Sequence, residues 1–214
     1  MSKIQLVFFD FDGVVLDSAR IKTEAFPLVF SHLPEHKQAI VDYHIANQGI
    51  SRYEKFEWIY STLLKEELTE EKSKELGERF SEIVLDRVMK CDPIPGALQF
   101  LQFLKDKGIP AVVASGTPYK ELLTIIHQRD LDHFFADIWG SPMHKEEIIK
   151  ILTGIHGIAP ENCLFLGDAS TDYKAANKKG VPFQAIYSDD MVTFWETKGE
   201  QTISNLMYLT SRFE

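Results

Sequence analysis

Two aspartates at the end of the first apolar segment are the residues of this chain best suited to chemistry. The apolar residues 6–9 are followed by Asp10, and Asp12 comes two positions later, just before Gly13. Ionised carboxylates beside a dry core are costly unless they are paired, hydrogen-bonded or bound to a metal. We therefore interpret Asp10 and Asp12 as a metal-dependent catalytic pair, with a simple turn at Asp12-Gly13 as the alternative.

A second apolar segment, at 163–166, leads into carboxylates in the same way. Gly167 and Asp168 follow it, and Asp172 stands four residues after Asp168. Hard oxygen ligands of this kind suit Mg²⁺, which keeps part of its coordination shell for water and substrate phosphate. The alternative is that Asp168 only caps the helix that follows.

A polar turn also follows the apolar segment at 110–114. Ser115, with the amides of Gly116 and Thr117, would form a phosphate cradle before a helix that begins at Pro118. An ordinary strand-to-helix turn with a capping serine explains the same residues, so both interpretations stay open. Ser115 lacks the Gly-x-Ser-x-Gly pattern, which argues against a serine hydrolase.

The elements that must position these residues alternate between strand and helix. This pattern predicts an α/β fold with a doubly wound parallel sheet. Predicted strands are 4–9, 110–114, 135–139, 162–166 and 183–187, and the predicted helices between and after them are 97–107, 119–129, 144–154, 170–179 and 203–209. Because ligands bind at the carboxyl ends of such strands, we expect the polar residues there to converge.

A helical block interrupts the alternation directly after the first strand. Its predicted helices are 17–30 (with a kink or break at Pro27), 35–47, 51–64 and 69–90. A structureless loop of this length is uncommon in a compact domain. We therefore predict an all-helical cap subdomain at 17–90, inserted into an α/β core of residues 1–16 plus 91–214.

The composition of the chain argues against some classes of binding partner. The 214 residues carry a formal net charge of −9, which argues against a general binder of nucleic acid or of membrane surfaces. A bound divalent cation would still allow an anionic substrate. Cys91 and Cys163 provide no disulfide framework, and we recognise no signal peptide or membrane span, so we expect a cytoplasmic protein. The sequence leaves the oligomeric state open.

Four motifs, taken in order, resemble those of the haloacid dehalogenase (HAD) superfamily. They are Asp-Phe-Asp-Gly-Val-Val at 10–15, Ser115, Lys145 and Gly-Asp-x-x-x-Asp at 167–172. The helical insertion after the first motif resembles the cap of the phosphoglycolate phosphatase and β-phosphoglucomutase branch, as does Pro-Gly at 95–96. The resemblance implies a Rossmann-like core beneath a helical cap.

The resemblance also implies a role for each aspartate. Asp10 resembles the nucleophile that accepts the phosphoryl group as an aspartyl phosphate. Asp12 resembles the general acid that protonates the leaving group and then the base that activates water. Asp10, the backbone carbonyl of Asp12 and Asp168 would hold Mg²⁺, with Asp172 as a ligand or an outer-shell partner.

The remaining motif residues would bind the oxygens of the transferred phosphoryl group. These are Ser115 with Gly116, and Lys145. The loop around Lys145 departs from the family branch, in which a proline more often follows the lysine closely. Lys145 is therefore chosen by its position, and Lys150, on a predicted solvated helix face, is the alternative.

The cap carries candidates for substrate contacts. The segment Gly49-Ile50-Ser51-Arg52 resembles one in caps similar to that of β-phosphoglucomutase, and Arg52 would clamp a second phosphate or a carboxylate. In the alternative interpretation, Ser51 caps a helix and Arg52 is solvated. Further candidates are Lys22, Lys55 and His44.

Together these features predict a Mg²⁺-dependent phosphatase that hydrolyses a small phosphorylated metabolite, either a phosphosugar or a phosphoglycolate-like compound. The alternative is a phosphosugar mutase resembling β-phosphoglucomutase. Ser51-Arg52 favours the mutase, whereas Lys22 stands where similar mutases carry a histidine. A non-catalytic phosphate-binding protein is a third hypothesis, and it predicts a damaged catalytic set; every member of that set is present here.

Overall fold

A parallel six-stranded sheet lies at the centre of the fold, as the alternating pattern predicts. The structure is a computed structural model that describes residues 3–213. In space the strands follow the order β3-β2-β1-β4-β5-β6, and each neighbouring pair runs parallel. The strands are β1 (Leu6–Phe9), β2 (Ala111–Pro118), β3 (Phe135–Ser141), β4 (Cys163–Gly167), β5 (Phe183–Ile186) and β6 (Thr202–Ile203).

Helices precede, connect and follow these strands. They are α1 (Ala19–Val29), α2 (Lys37–Ala46), α3 (Arg52–Trp58), α4 (Glu70–Lys90), α5 (Ala97–Asp106), α6 (Tyr119–Gln128), α7 (Lys145–His156), α8 (Ser170–Lys178) and α9 (Val192–Lys198). A π-helical segment, Ile59–Leu64, continues α3. Short 3₁₀ helices occur at Pro34–His36, Asp132–Phe134, Pro160–Asn162, Asp189–Met191 and Leu206–Phe213.

The central strand β1 is buried along its whole length because helices cover both faces of the sheet. Successive side chains of a strand point to opposite faces. Val7 and Phe9 accordingly join the apolar cluster that contains residues of α5 and α6. Leu6 and Phe8 join the cluster that contains residues of α7 and α8. Every position of β1 is therefore apolar because both faces of the sheet are packed against helices.

The helical block predicted after the first strand is present as α1 to α4. It has its own aromatic packing, in which the Phe26 ring centroid lies 4.8 Å from that of Phe80 and 5.9 Å from that of Phe56. Pro27 does not break α1, which continues for two more residues to Val29.

The two chain segments that connect this block to the sheet lie side by side. The amide of Asp17 donates to the carbonyl of Asp92 at 2.9 Å, and the amide of Ile94 donates to the carbonyl of Val15 at 3.0 Å. These backbone hydrogen bonds join the exit from β1 to the return of the chain near α5. The two segments by which the chain enters and leaves the block are thus held together by backbone hydrogen bonds.

The prediction for the C-terminal part was incomplete. Residues 203–209 were expected to form a helix, but Thr202–Ile203 is the edge strand β6 and Leu206–Phe213 is a 3₁₀ helix. The sequence prediction also missed α9. A two-residue strand and a seven-residue helix are too short to show a clear periodicity. Among the described residues, no helix combines the length and the apolar composition needed to cross a membrane.

The N-terminus of α4 offers a test of local stability. Thr69 precedes the helix, and its hydroxyl accepts a hydrogen bond of 3.2 Å from the amide of Lys72. We expect Thr69→Ala to lower the free energy of unfolding by about 1 kcal/mol, since one amide of the first turn loses its partner. Urea denaturation followed by circular dichroism measures the change. Thr69→Ser keeps the acceptor, and equal losses in both variants would show that the cap bond is not responsible.

Candidate active site

Asp10 lies at the carboxyl end of β1, where its side chain is buried against a lysine. Its Oδ1 accepts a hydrogen bond of 2.7 Å from the amide of Phe11, and its Oδ2 lies 2.9 Å from the Nζ of Lys145. Lys145 is the first residue of α7 and is only 6% exposed. One carboxylate oxygen is therefore held by the backbone, and the other faces a buried cation.

Asp168 and Asp172 lie close to Asp10, as predicted from the ends of the two strands. Carboxylate oxygens of the three residues lie within 4.8 Å of one another, and all three side chains are buried. Asp172 also approaches Lys145, with 2.5 Å between Oδ1 and Nζ, and accepts a hydrogen bond from the amide of Ala169 at 3.1 Å. The tertiary fold thus gathers three acids around one lysine.

Two glycines leave room for this cluster. A Cβ atom at Gly13 would lie 2.1 Å from Oδ2 of Asp168, and a Cβ atom at Gly167 would lie 2.4 Å from Cβ of Asp172. Gly13 also has a φ of +75°, a conformation that glycine adopts at little cost. The glycines of the two Asp-containing motifs are therefore required by the close approach of the carboxylates.

The electrostatics of the acid cluster favour a bound cation. Burial raises the pKa of Asp10 to about 7, although the charge of Lys145 opposes this, and the charges of Asp172 and Asp12 add to it. Burial and the neighbouring charges of Asp10 and Asp172 also raise the pKa of Asp168 well above its usual range. Three hard oxygen donors that repel one another fit Mg²⁺ by their chemistry.

Lys145 is correspondingly held in its charged form. Burial lowers the pKa of this ammonium, but the charges of Asp10 and Asp172 outweigh burial and raise it above the ordinary lysine value. Lys150, the alternative from the sequence, is exposed on α7. The structure therefore brings Lys145, and not Lys150, to the carboxylates.

Asp12 has a different environment from Asp10. Its carboxylate accepts hydrogen bonds from the hydroxyls of Ser18 at 2.6 Å and Thr117 at 2.8 Å, and it pairs with the Nζ of Lys22 at 2.5 Å. Burial raises the pKa of Asp12, but the charge of Lys22 and these hydrogen bonds outweigh burial and lower it. The two aspartates are thus tuned in opposite directions, a pattern that separates acid–base roles.

The turns around Asp12 and Ser115 make contacts beyond simple helix capping. Ser18 occupies the N-cap position of α1, but its hydroxyl donates to Asp12 and makes no cap hydrogen bond. In the predicted phosphate cradle, the Thr117 amide already donates to the Ser115 hydroxyl at 3.1 Å, and that hydroxyl still has its own proton to donate. Ser115 lies inside β2, which continues to Pro118 and not only to residue 114, and α6 begins at Tyr119 as predicted.

The cap closes over the carboxyl ends of β1 and β2. A Cβ atom at Gly116 would lie 2.4 Å from the carbonyl oxygen of Gly49, so only glycine fits there without a shift. The hydroxyl of Thr171 donates to the carbonyl of Gln48 at 2.5 Å, which joins α8 to the cap. The enclosed cavity has a volume of about 60 Å³, several times the roughly 10–15 Å³ that one water needs.

Residues of both parts line this cavity. From the core come Asp10, Asp12, Gly116, Thr117 and Asp168, and from the helical block come Ala19, Lys22, Phe26, His44, Gln48, Gly49, Ile50, Arg52, Lys55 and Phe80. Lys22, expected to contact substrate, does line the cavity, but its ammonium is hydrogen-bonded to Asp12 and Thr117. Three of the predicted acids, Asp10, Asp12 and Asp168, therefore share one cavity with the predicted cap residues, and Asp172 lies outside its lining.

Arg52 differs from both alternatives drawn from the sequence. Ser51 does cap α3, yet Arg52 is only 5% exposed and is not solvated. Its guanidinium pairs with Glu121 of α6 and donates to the hydroxyl of Ser81 at 2.8 Å. Arg52 therefore connects the cap to the core in this conformation.

Several contributors to the site were missed at the sequence level. Glu121, the Thr117 side chain and Ser18 were not predicted to hold the charged groups around the cavity. Acidic residues are common in the first turn of a helix, so Glu121 did not stand out in the sequence. The sequence contained no signal that would pair it with Arg52, since the two are 69 residues apart.

Comparisons with known proteins agree with this geometry. The family model of haloacid dehalogenase-like hydrolases matches residues 4–180. A phosphoglycolate phosphatase of Mannheimia succiniciproducens is 26% identical over 188 residues, which cover 84% of either chain. A phosphorylated carbohydrates phosphatase of Thermotoga maritima is 25% identical over 187 residues, covering 83% of this chain and 82% of the relative.

A solved structure shares the whole fold. The β-phosphoglucomutase of Clostridium difficile superimposes with a TM-score of 0.75 at 18% sequence identity, covering 98% of this chain and 97% of that one. At this level of identity the likeness establishes the fold, which is the α/β Rossmann-like architecture expected from the sequence.

The charge balance around Lys145 leads to a stability prediction. We expect Lys145→Met to destabilise the metal-free protein by about 3–5 kcal/mol, because it leaves buried acids without their cation. The loss of unfolding free energy in this variant should be larger at about pH 8 than at about pH 6. Acids whose pKa is raised in the folded protein make it less stable as the pH rises.

Thermal and urea unfolding in EDTA measure both effects. Lys150→Met is the matched control, because it removes the same charge from an exposed position of the same helix, and such surface changes are usually within about 0.5 kcal/mol. An equal loss of unfolding free energy in both variants would contradict the conclusion that Lys145 is the cation that balances the buried acids.

Proposed function

The chain belongs to the haloacid dehalogenase-like hydrolase family, and from this premise we propose that it is a Mg²⁺-dependent phosphatase of small phosphorylated metabolites that forms an aspartyl phosphate on Asp10. Its curated relatives are phosphatases. The observation that carries the proposal is the arrangement of Asp10 between the buried Lys145 and the carboxylates of Asp168 and Asp172.

Asp10 is suited to attack phosphorus because its surroundings can neutralise the repulsion between two anions. In the first step an oxygen of Asp10 forms a bond to phosphorus while the ester P–O bond breaks. The ammonium of Lys145, next to Oδ2 of Asp10, offsets charge on the transferring phosphoryl oxygens. Mg²⁺ held by Asp10, Asp168 and the Asp12 carbonyl, with Asp172 as a ligand or outer-shell partner, would supply further charge neutralisation and alignment of the phosphate.

Asp12 would carry the proton in both halves of the reaction. The departing oxygen takes a proton from Asp12, and Asp12 then removes a proton from the water that attacks phosphorus and releases Asp10 and inorganic phosphate. In the free protein, Lys22 and the two hydroxyls favour ionised Asp12. Binding of a phosphate anion nearby would raise its pKa and favour the protonated form that the first half needs.

Ser115 and Gly116 would contribute to phosphate binding from the end of the sheet. The side chain of Ser115 is buried. The next two residues in the chain, Gly116 and Thr117, line the cavity. The cap above them excludes bulk water while the substrate is bound. The cavity volume of about 60 Å³ suits a small substrate.

The mutase alternative is supported by the Ser51-Arg52 segment and by the fold shared with a β-phosphoglucomutase. Two observations oppose it. The guanidinium of Arg52 is already engaged by Glu121 and Ser81, and Lys22 rather than histidine lies beside Asp12. A hexose 1-phosphate distinguishes the two activities, since a mutase yields the 6-phosphate and a phosphatase yields free phosphate.

The nucleophile assignment predicts the behaviour of one variant. Hydrolysis of p-nitrophenyl phosphate should require Mg²⁺ and should fall by roughly a thousandfold or more in Asp10→Asn, because the amide cannot form the covalent intermediate. Release of p-nitrophenol is measured with and without EDTA. Asp106→Asn, on the exposed end of α5, is the control; activity that persists in Asp10→Asn would rule out the mechanism.

The proton-transfer assignment predicts dependence on the leaving group. Asp12→Asn should reduce kcat for an alkyl phosphate by roughly 10²- to 10⁴-fold, the scale of general acid–base catalysis. The loss should be smaller in the first step for p-nitrophenyl phosphate, whose leaving group needs no proton. Single-turnover rates with both esters test this, and an equal loss for the two would show that Asp12 does not protonate the leaving group.

A further inference from the structure

Lys55 is a buried cation in the cap that the reaction described above does not use. It lies on α3, is only 3% exposed and lines the cavity shared with Asp10 and Asp12. Its Nζ lies 3.1 Å from the Nδ1 of His44 and 5.2 Å from the ring centroid of Phe26. Among residues 3–213, no carboxylate forms an ion pair with it.

His44 holds this ammonium in place without neutralising it. An ammonium can only donate, so Nδ1 of His44 must accept, and Nε2 then carries the proton that it donates to the Thr23 hydroxyl at 3.1 Å. Burial, together with the charges of Lys55 and Lys22, lowers the pKa of His44 to about 2, so the ring is neutral. One N–H of Lys55 is thereby used, and two remain without a hydrogen-bonded partner in the described chain.

An unpaired buried ammonium is unfavourable in the empty cavity. Burial, reinforced by the charges of Lys22 and Lys145, lowers the pKa of Lys55 to about 7. The Phe26 ring compensates only part of this cost. Replacing such a residue by an apolar one of similar length would normally be neutral or stabilising, so stability does not explain the lysine.

The other cations in and beside the cavity are already paired. Lys22 bonds Asp12, Lys145 bonds Asp10 and Asp172, and Arg52 bonds Glu121. Lys55 therefore has donors available for a ligand, and it belongs to the cap, whereas the acids that would act on the phosphoryl group belong to the core.

We propose that Lys55 is a specificity-determining residue that binds a second anionic group of the substrate, a carboxylate or a phosphate, at the end of the molecule away from the transferred phosphoryl group. This proposal rests on the proposed phosphatase activity. It narrows the substrate class to compact phosphomonoesters with a second anionic group, because a phosphosugar whose remaining groups are uncharged would leave the ammonium buried and unpaired.

Matched esters test the proposal. Ethyl phosphate and 2-phosphoglycolate have the same two-carbon length and differ in the carboxylate, and ethylene glycol bisphosphate carries a second phosphate instead. In the wild-type enzyme with Mg²⁺, we expect kcat/KM to be higher for at least one of the two probes with a second anionic group than for ethyl phosphate. Lys55→Met should reduce that value roughly 10- to 100-fold, the range for hydrogen bonds to charged groups, while ethyl phosphate changes less than about threefold. The probe that loses more identifies the second anion.

Controls separate this role from a structural one. Lys74→Met removes the same charge from an exposed position of α4 and should leave all three esters unchanged. Lys55→Met should unfold at the same temperature as the wild type or higher. Equal losses for ethyl phosphate and for both probes with a second anionic group, or no loss for any of them, would overturn the proposal.

Isothermal titration calorimetry tests the Lys55 proposal independently of the proposed phosphatase activity. The three esters are titrated into the Asp10→Asn variant, with and without Lys55→Met, so that binding is measured without turnover. Failure of the wild type to hydrolyse any ester would refute the proposed function, while a Lys55-dependent preference in binding for an ester with a second anionic group would still support the anion subsite. Equal affinities in both backgrounds would overturn it.

Discussion

The site depends on one buried ammonium placed among three carboxylates. Lys145 contacts Asp10 and Asp172 directly, and Asp168 lies in the same group. A lysine in the first turn of a helix opposes the helix dipole, so its position in α7 is favourable only because the acids are there. The burial of these acids depends in turn on the lysine, which makes the four residues a mutually dependent unit.

This unit connects the fold to the proposed chemistry. Strand β1 delivers Asp10, strand β4 leads to Asp168 and the first turn of α8 supplies Asp172, so three elements must be in register for the charges to balance. Strands β1 and β4 are buried along their whole length, and they are therefore apolar until the point where they end. The polar residues of the site lie at the carboxyl edge of the sheet because the buried strands end there.

The cap adds a second set of constraints. Arg52 pairs with Glu121 across the two parts of the chain, and Gln48 accepts a hydrogen bond from Thr171. These contacts hold the cap against the core beside the cavity. The cap also determines how Asp12 differs from Asp10, because Lys22 of α1 supplies the charge that lowers the pKa of Asp12. Two aspartates that are two residues apart are thus distinguished by neighbours distant in the chain.

The sequence alone determined the order of strands and helices from β1 to β5, the helical block between β1 and β2, and the aspartates and glycines of the two motifs, because hydrophobic periodicity and residue type are local properties. It could not choose between Lys145 and Lys150 by periodicity, and it gave Arg52 no partner. Only the tertiary structure decided those points and revealed that, among residues 3–213, Lys55 is buried without an acidic partner. Ion pairing and burial depend on which residues meet across the fold, and Arg52 and Glu121 meet over 69 positions of sequence.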